Sequence, residues 1–128
     1  MPAPSLTLTV LPDTLAVCQL PAGSALPAWA TSGRFWALLG TDEELSVVCL
    51  ATAVPAGVKQ ETGWRALRFE GPFDFALTGI LAAVAAPLAE AAISIFALST
   101  FNTDYVLVRQ TQLEAAMACL KQAGHVVN

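Results

Sequence analysis

Residues 64–109, WRALRFEGPFDFALTGILAAVAAPLAEAAISIFALSTFNTDYVLVR, decide the fold. Trp64–Glu70 interleaves apolar side chains with Arg65, Arg68 and Glu70, the texture of a half-buried strand. Gly71-Pro72 breaks it, and Asp74 stands where a side-chain oxygen caps a helix over Phe75–Ala86. Pro87 has no amide hydrogen, so it is expected to kink or restart that helix. Ile93–Leu98 and Asp104–Arg109 read as strands, joined by the polar turn that starts at Ser99-Thr100.

Toward the C-terminus, Thr111-Gln112-Leu113-Glu114 has the spacing of a capping box. Leu113, Ala116, Met117 and Leu120 share one face of the helix that follows, and Gly124 occupies a C′ position. His125-Val126-Val127 reads as a short last strand. From Trp64 onward the order is β-α-β-β-α-β, the ferredoxin-like plan of an α+β domain with helices on an antiparallel sheet.

Residues 1–63 carry a weaker version of this order. Leu6–Leu11 and Leu15–Leu20 read as two strands separated by a turn at Pro12-Asp13. Pro21–Gly33 reads as a loop with a short helical turn. Phe35–Leu39 and Leu45–Leu50 form a hairpin across Gly40–Glu44, and Pro55–Gly63 is a loop. Setting Gly40-Thr41 against Ser99-Thr100, an offset of 59 residues, aligns one hairpin with the other. The expected organisation is two ferredoxin-like halves, 1–63 and 64–128, with the helices of the first shortened.

Composition narrows the function classes. Of the 128 residues, 55% are hydrophobic and 12% charged, against about 25% charged in ordinary domains. So little charge leaves apolar surface to bury, and a homodimer is expected. The net charge of −4, with six scattered Lys and Arg, lacks the clustered cations that nucleic acid requires. Cys18, Cys49 and Cys119 each sit in an apolar segment and read as small buried hydrophobes in a reducing, cytoplasmic setting. His125 is the sole histidine; no Cys/His spacing suggests zinc, and no catalytic triad, phosphate loop or dinucleotide fingerprint appears. The start, MPAPSLTLTV, reads as no signal peptide. Residues 75–98 have the length of a membrane span, but Glu90 and Pro87 interrupt them, and a buried helix followed by a strand explains the same run. No enzyme, cofactor or metal centre is expected.

DEELSVVCL (42–50), the run from Trp64 to Val108 and LKQAGH (120–125) resemble the small bacterial proteins built from tandem ACT domains, the CASTOR-type ACT family. The resemblance implies two ACT-like halves with an amino-acid-like ligand between them. Carried over by matching residues, Ser46 and Val47 would offer backbone and hydroxyl contacts to a carboxylate. The segment Asp74, Phe75, Ala76, Leu77, Thr78, Gly79, Ile80 would wrap the ligand. Thr100, Phe101 and Asp104 would line the strand side, with Asp104 pairing a ligand ammonium. Leu77 stands where the arginine-sensing relatives place an acid, so a smaller or apolar amino acid is expected in preference to arginine.

Each of these residues also has a plainer reading. Asp104, Thr100 and Ser46 are ordinary turn residues that bond nearby amides. Gly79 admits either close packing or an anion at a helix start. The functional expectation is a non-catalytic regulatory module binding a small metabolite at the junction of its halves. The alternative is an interaction module that pairs with itself or with a larger enzyme without a ligand.

Overall fold

The computed structural model describes residues 4–128. Its strands are β1 (Thr7–Pro21), β2 (Ala37–Gly40), β3 (Glu44–Leu50), β4 (Lys59–Phe69), β5 (Ile95–Ser99), β6 (Asp104–Arg109) and β7 (Val126–Val127). Two α-helices, α1 (Ile80–Glu90) and α2 (Leu113–Gln122), lie in the second half of the sequence. The chain divides into two compact units, Met1–Pro12 with Arg65–Asn128, and Asp13–Trp64. Residues 4–12 therefore group with the C-terminal unit, where a boundary at 63/64 alone was expected.

In that C-terminal unit the strand order is β7-β1-β4-β6-β5. The β-α-β-β-α-β order from β4 is present, with the start of β1 inserted between its first and last strands. Thr7 and Leu8 pair in parallel with Val126 and Val127. On the β4 side, the Glu70 amide donates to the Thr7 carbonyl at 2.8 Å. The expectation of purely antiparallel sheets is corrected at the β1/β7 pairing; β5/β6 is antiparallel. Leu8, Phe69, Val84, Leu88, Val106, Val108 and Leu120 are completely buried in this unit's core.

The other unit orders β2-β3-β1 antiparallel. Instead of α-helices it has 3-10 turns at Ala28–Thr31 and Ala51–Ala53. Its core is Ala16, Cys18, Ala30, Leu45, Val47 and Cys49.

The turn expected at Pro12-Asp13 is absent, and β1 is one strand of 15 residues. Pro12 falls after the stretch that meets the C-terminus, where Val10 N–H donates to the Asn128 carbonyl, and before the β3 ladder that starts at Leu15. Neither ladder asks Pro12 for the N–H it lacks. β4 starts at Lys59, inside the expected loop.

The two hairpins match as the offset of 59 residues predicts. Gly40 pairs with Leu45 and Ser99 with Asp104. In each, the turn threonine's N–H donates across the turn at 2.8 Å, Thr41 to Glu44 and Thr100 to Thr103. Each threonine hydroxyl also accepts the returning amide, at 3.1 Å from Glu44 and 3.3 Å from Thr103.

Helix α1 starts five residues later than Phe75 because Gly79 adopts φ 81°, a left-handed conformation that no helix can include. Asp74 caps a local turn instead, accepting the Ala76 amide at 2.8 Å. Pro87 lies inside α1 without ending it. Lacking an amide, it frees the Ala83 carbonyl, which meets His125 Nε2 at 2.9 Å. His125 Nδ1 accepts the Leu6 amide at 3.0 Å, which fixes the neutral tautomer with its proton on Nε2. The capping box does not form: Thr111 sits within a 3-10 turn, Gln110–Gln112, that precedes α2.

Both helices end in the same paired-bond motif. After α2, Gly124 is left-handed at φ 99°, His125 N–H donates to Leu120 O and Gly124 N–H to Lys121 O. After α1 the equivalent position is Ala92, at φ 60°, with Ile93 N–H on Leu88 O and Ala92 N–H on Ala89 O. A Cβ is unfavourable there. Ala92→Gly is therefore expected to raise stability by about 0.5–1 kcal/mol in urea denaturation; a loss of stability would contradict this assignment.

Candidate functional site

A pocket of ≈ 200 Å³ opens in the C-terminal unit, between the segment after β4 and the β5/β6 hairpin. The segment is pinned to the hairpin by backbone. Phe73 N–H donates to the Asn102 carbonyl at 2.9 Å, and the Thr103 hydroxyl donates to the Phe69 carbonyl at 2.6 Å. Gly71, in a cis bond to Pro72, allows this approach, since a Cβ on it would lie 3.1 Å from the Asn102 oxygen.

Seven of the residues singled out from sequence line the pocket together: Asp74, Phe75, Leu77, Ile80, Thr100, Phe101 and Asp104. Ala76, Thr78 and Gly79 belong to the same segment without lining it. At Gly79 a Cβ would meet nothing within 4 Å, so the glycine serves its left-handed backbone and not close packing. Phe73, Ser99, Asn102 and Thr103 also line the pocket and were not expected. The three from the hairpin lay in plain view within the polar turn. Phe73 had only its neighbourhood to Gly71-Pro72 as a signal.

Ser46 and Val47 are placed elsewhere, on β3 in the other unit. Val47 is completely buried, and pairs with Leu38 on one side and Cys18 on the other. Ser46 pairs likewise with Leu39 and Gln19, and its hydroxyl donates to Glu44 Oε1 at 3.0 Å. A strand laddered on both sides has its backbone groups committed, so the expected backbone contacts to a carboxylate are not available there.

Asp104 faces its own hairpin: the Ser99 hydroxyl donates to its Oδ1. Both pocket carboxylates are thus held through one oxygen, Asp74 by an amide and Asp104 by a hydroxyl. None of the lining residues is cationic. Phe75 and Phe101 meet edge to face, 5.0 Å between ring centres at 86°, and are 74% and 80% exposed. The lining thus combines exposed aromatic rings with hydroxyls and carboxylates.

Elsewhere the chemistry is muted. Burial, followed by the neighbouring Cys49 thiol, pushes Cys18 up to about 11, and burial raises Cys49 as well. Neither is a thiolate at neutral pH. Cys119 Sγ lies 3.3 Å from the Pro87 carbonyl. Among the described residues no group of three or more His, Cys, Asp or Glu could hold a metal ion, and no helix is long and apolar enough to cross a membrane.

A β-α-β-β-α-β unit with one intercalated strand and an open pocket beside its central hairpin defines a class of small α+β domains. The chain belongs to the ACT domain family, whose model matches residues 59–122. A second family model, of an N-terminal domain, matches residues 13–57. The crystal structure of protein Atu0741 from Agrobacterium tumefaciens is similar over 98% of this chain and 94% of its own, at 41% identity and a TM-score of 0.94. The human cytosolic arginine sensor for mTORC1 subunit 1 is 40% identical over 60 residues, which are 46% of this chain and 18% of that protein. This chain therefore matches less than a fifth of the sensor. The regulatory subunit of aspartate kinase from Thermus thermophilus shares the fold, with a TM-score of 0.60 at 10% identity, over 86% of this chain and 91% of that one.

Proposed function

We propose that this chain is a non-catalytic, cytoplasmic regulatory module that binds a small metabolite, an amino acid or a close relative of one, in the pocket beside the β5/β6 hairpin. The observation that carries the reading is the convergence of Asp74 and Leu77 from one side with Thr100, Phe101 and Asp104 from the other. The family and the arginine sensor's name add support from outside the geometry. Regulation follows only if the ligand has different affinity for two arrangements of the protein, here two copies pairing or not pairing.

Thermal-shift and calorimetric titration of the amino acids test this. A ligand at 100 times its Kd stabilises by about 2.7 kcal/mol, on the order of 10 °C in melting temperature. No stabilisation by any amino acid at millimolar concentration sinks the proposal. A second reading is favoured by the exposed Phe75, Leu77 and Phe101, which fit a protein-contact face. It predicts pairing with a larger protein that no small molecule alters.

A further inference from the structure

We infer that the Asp13–Trp64 unit carries a second ligand site, one that takes a zwitterion with an apolar body, of amino-acid to dipeptide size. A cavity of ≈ 530 Å³ lies where the end of β1, the β2/β3 turn and the start of β4 meet, and its lining residues all belong to that unit. Ligand cavities commonly run from about 300 to 1,000 Å³, so this one has the room. The site is separate from the pocket beside the β5/β6 hairpin and does not depend on the function proposed for it.

The lining carries both signs of charge. Glu43 brings a carboxylate from the turn and Lys59 an ammonium from the first residue of β4. Gln19 adds an amide that both donates and accepts. Leu20 and Val58 form an apolar wall, and both pack on the core of the unit, which fixes that wall. The backbone around the polar groups is held as well. The Glu43 amide donates to the Thr41 hydroxyl at 3.1 Å. The Pro21 carbonyl accepts from the Ser24 amide at 3.2 Å and from its hydroxyl at 2.6 Å. Gly57, left-handed at φ 90°, sets the turn that leads Lys59 into β4. A ligand with one charge leaves Glu43 or Lys59 without a counterpart, whereas a zwitterion meets both. Both side chains are exposed, so solvent and salt screen each contact to a small factor in affinity, and selectivity comes from the pair.

Amide-resolved NMR titration of the full chain tests this with leucine, leucyl-leucine, isoamylamine and 4-methylvalerate, which share an isobutyl group and differ in charge. Leucine or leucyl-leucine is expected to shift the amides of Glu43, Gly57, Val58 and Lys59 and to saturate them at millimolar concentration. The tighter of the two tells whether a free amino acid or a short peptide is the better ligand. Isoamylamine and 4-methylvalerate should each bind at least threefold more weakly, by roughly the worth of one exposed charge contact. Lys59→Gln and Glu43→Gln should each weaken the zwitterion threefold or more, with the melting temperature of the free protein unchanged. If either variant melts lower, raising NaCl roughly tenfold on the unaltered chain supplies the comparison, with the same loss expected. Binding of either singly charged compound as tight as the zwitterion's, or unweakened binding by both variants, overturns the inference. Shifts confined to Thr100–Asp104 overturn it and leave the proposed function standing. Shifts confined to Glu43 and Gly57–Lys59 sustain it and count against the other pocket. No shift anywhere with any of the four overturns it.

Discussion

Replacing His125 with alanine is expected to lower the free energy of unfolding by about 3 kcal/mol, read from urea denaturation. The ring is buried and holds two backbone groups at once, accepting from the Leu6 amide at 3.0 Å and donating to the Ala83 carbonyl at 2.9 Å. Alanine leaves both without that partner. The Ala83 carbonyl depends on the ring because Pro87, four residues on, has no amide to give it. A double-mutant cycle isolates this dependence. Pro87→Ala restores an amide to the helix, so His125→Ala should be milder by about 1 kcal/mol in that background. Equal losses in both backgrounds would show that the bond to the Ala83 carbonyl contributes nothing to the histidine's effect.

A larger loss is expected from Val47→Asp. Val47 is completely buried among Ala16, Cys18, Leu45 and Cys49, with no described charge in that cluster to pair an aspartate. An isolated carboxylate there costs several kcal/mol, enough to unfold the Asp13–Trp64 unit in a marginally stable domain. Val47→Ala, which removes only apolar volume, should cost about 2 kcal/mol. Circular dichroism and urea denaturation of the two variants check the order. If Val47→Asp folds normally and only ligand binding suffers, the core placement is wrong and the contact suggested by family resemblance is right.

The hairpins were legible because their signals are local. A threonine closing an apolar strand and a short polar turn leading into a valine-rich strand fixed the β2/β3 and β5/β6 pairs, down to the shared 59-residue offset. The end of α2 at Gly124 was legible for the same reason, since a left-handed glycine is a property of one residue. The start of α1 was not. Asp74 looks like a helix cap in sequence, but its carboxylate serves the amide two residues on, and the left-handed Gly79 holds the helix back to Ile80.

Seven of the eleven residues lining the candidate site were legible for a related reason. Asp74–Ile80 and Thr100–Asp104 belong to segments that the β-α-β-β order already makes neighbours. Thr103 and Asn102 went unnoticed because a turn residue's outward and inward side chains look alike in sequence. That Ser46 lies on a strand paired on both sides was not legible, because a strand residue's free or committed backbone depends on what lies beside the strand.

The sequence by itself determined the α+β class, the element order from Trp64 onward, both hairpins and the polar turn that forms one wall of the pocket. Only the tertiary structure decided that β1 runs unbroken through Pro12 and slips between β4 and β7. It also decided that His125 takes up the carbonyl Pro87 leaves free, and that Val47 is core. The physical reason is common to all three. Periodicity and turn chemistry act over a few residues, whereas the partner of a strand edge, a freed carbonyl or a buried face comes from a segment far away in the chain.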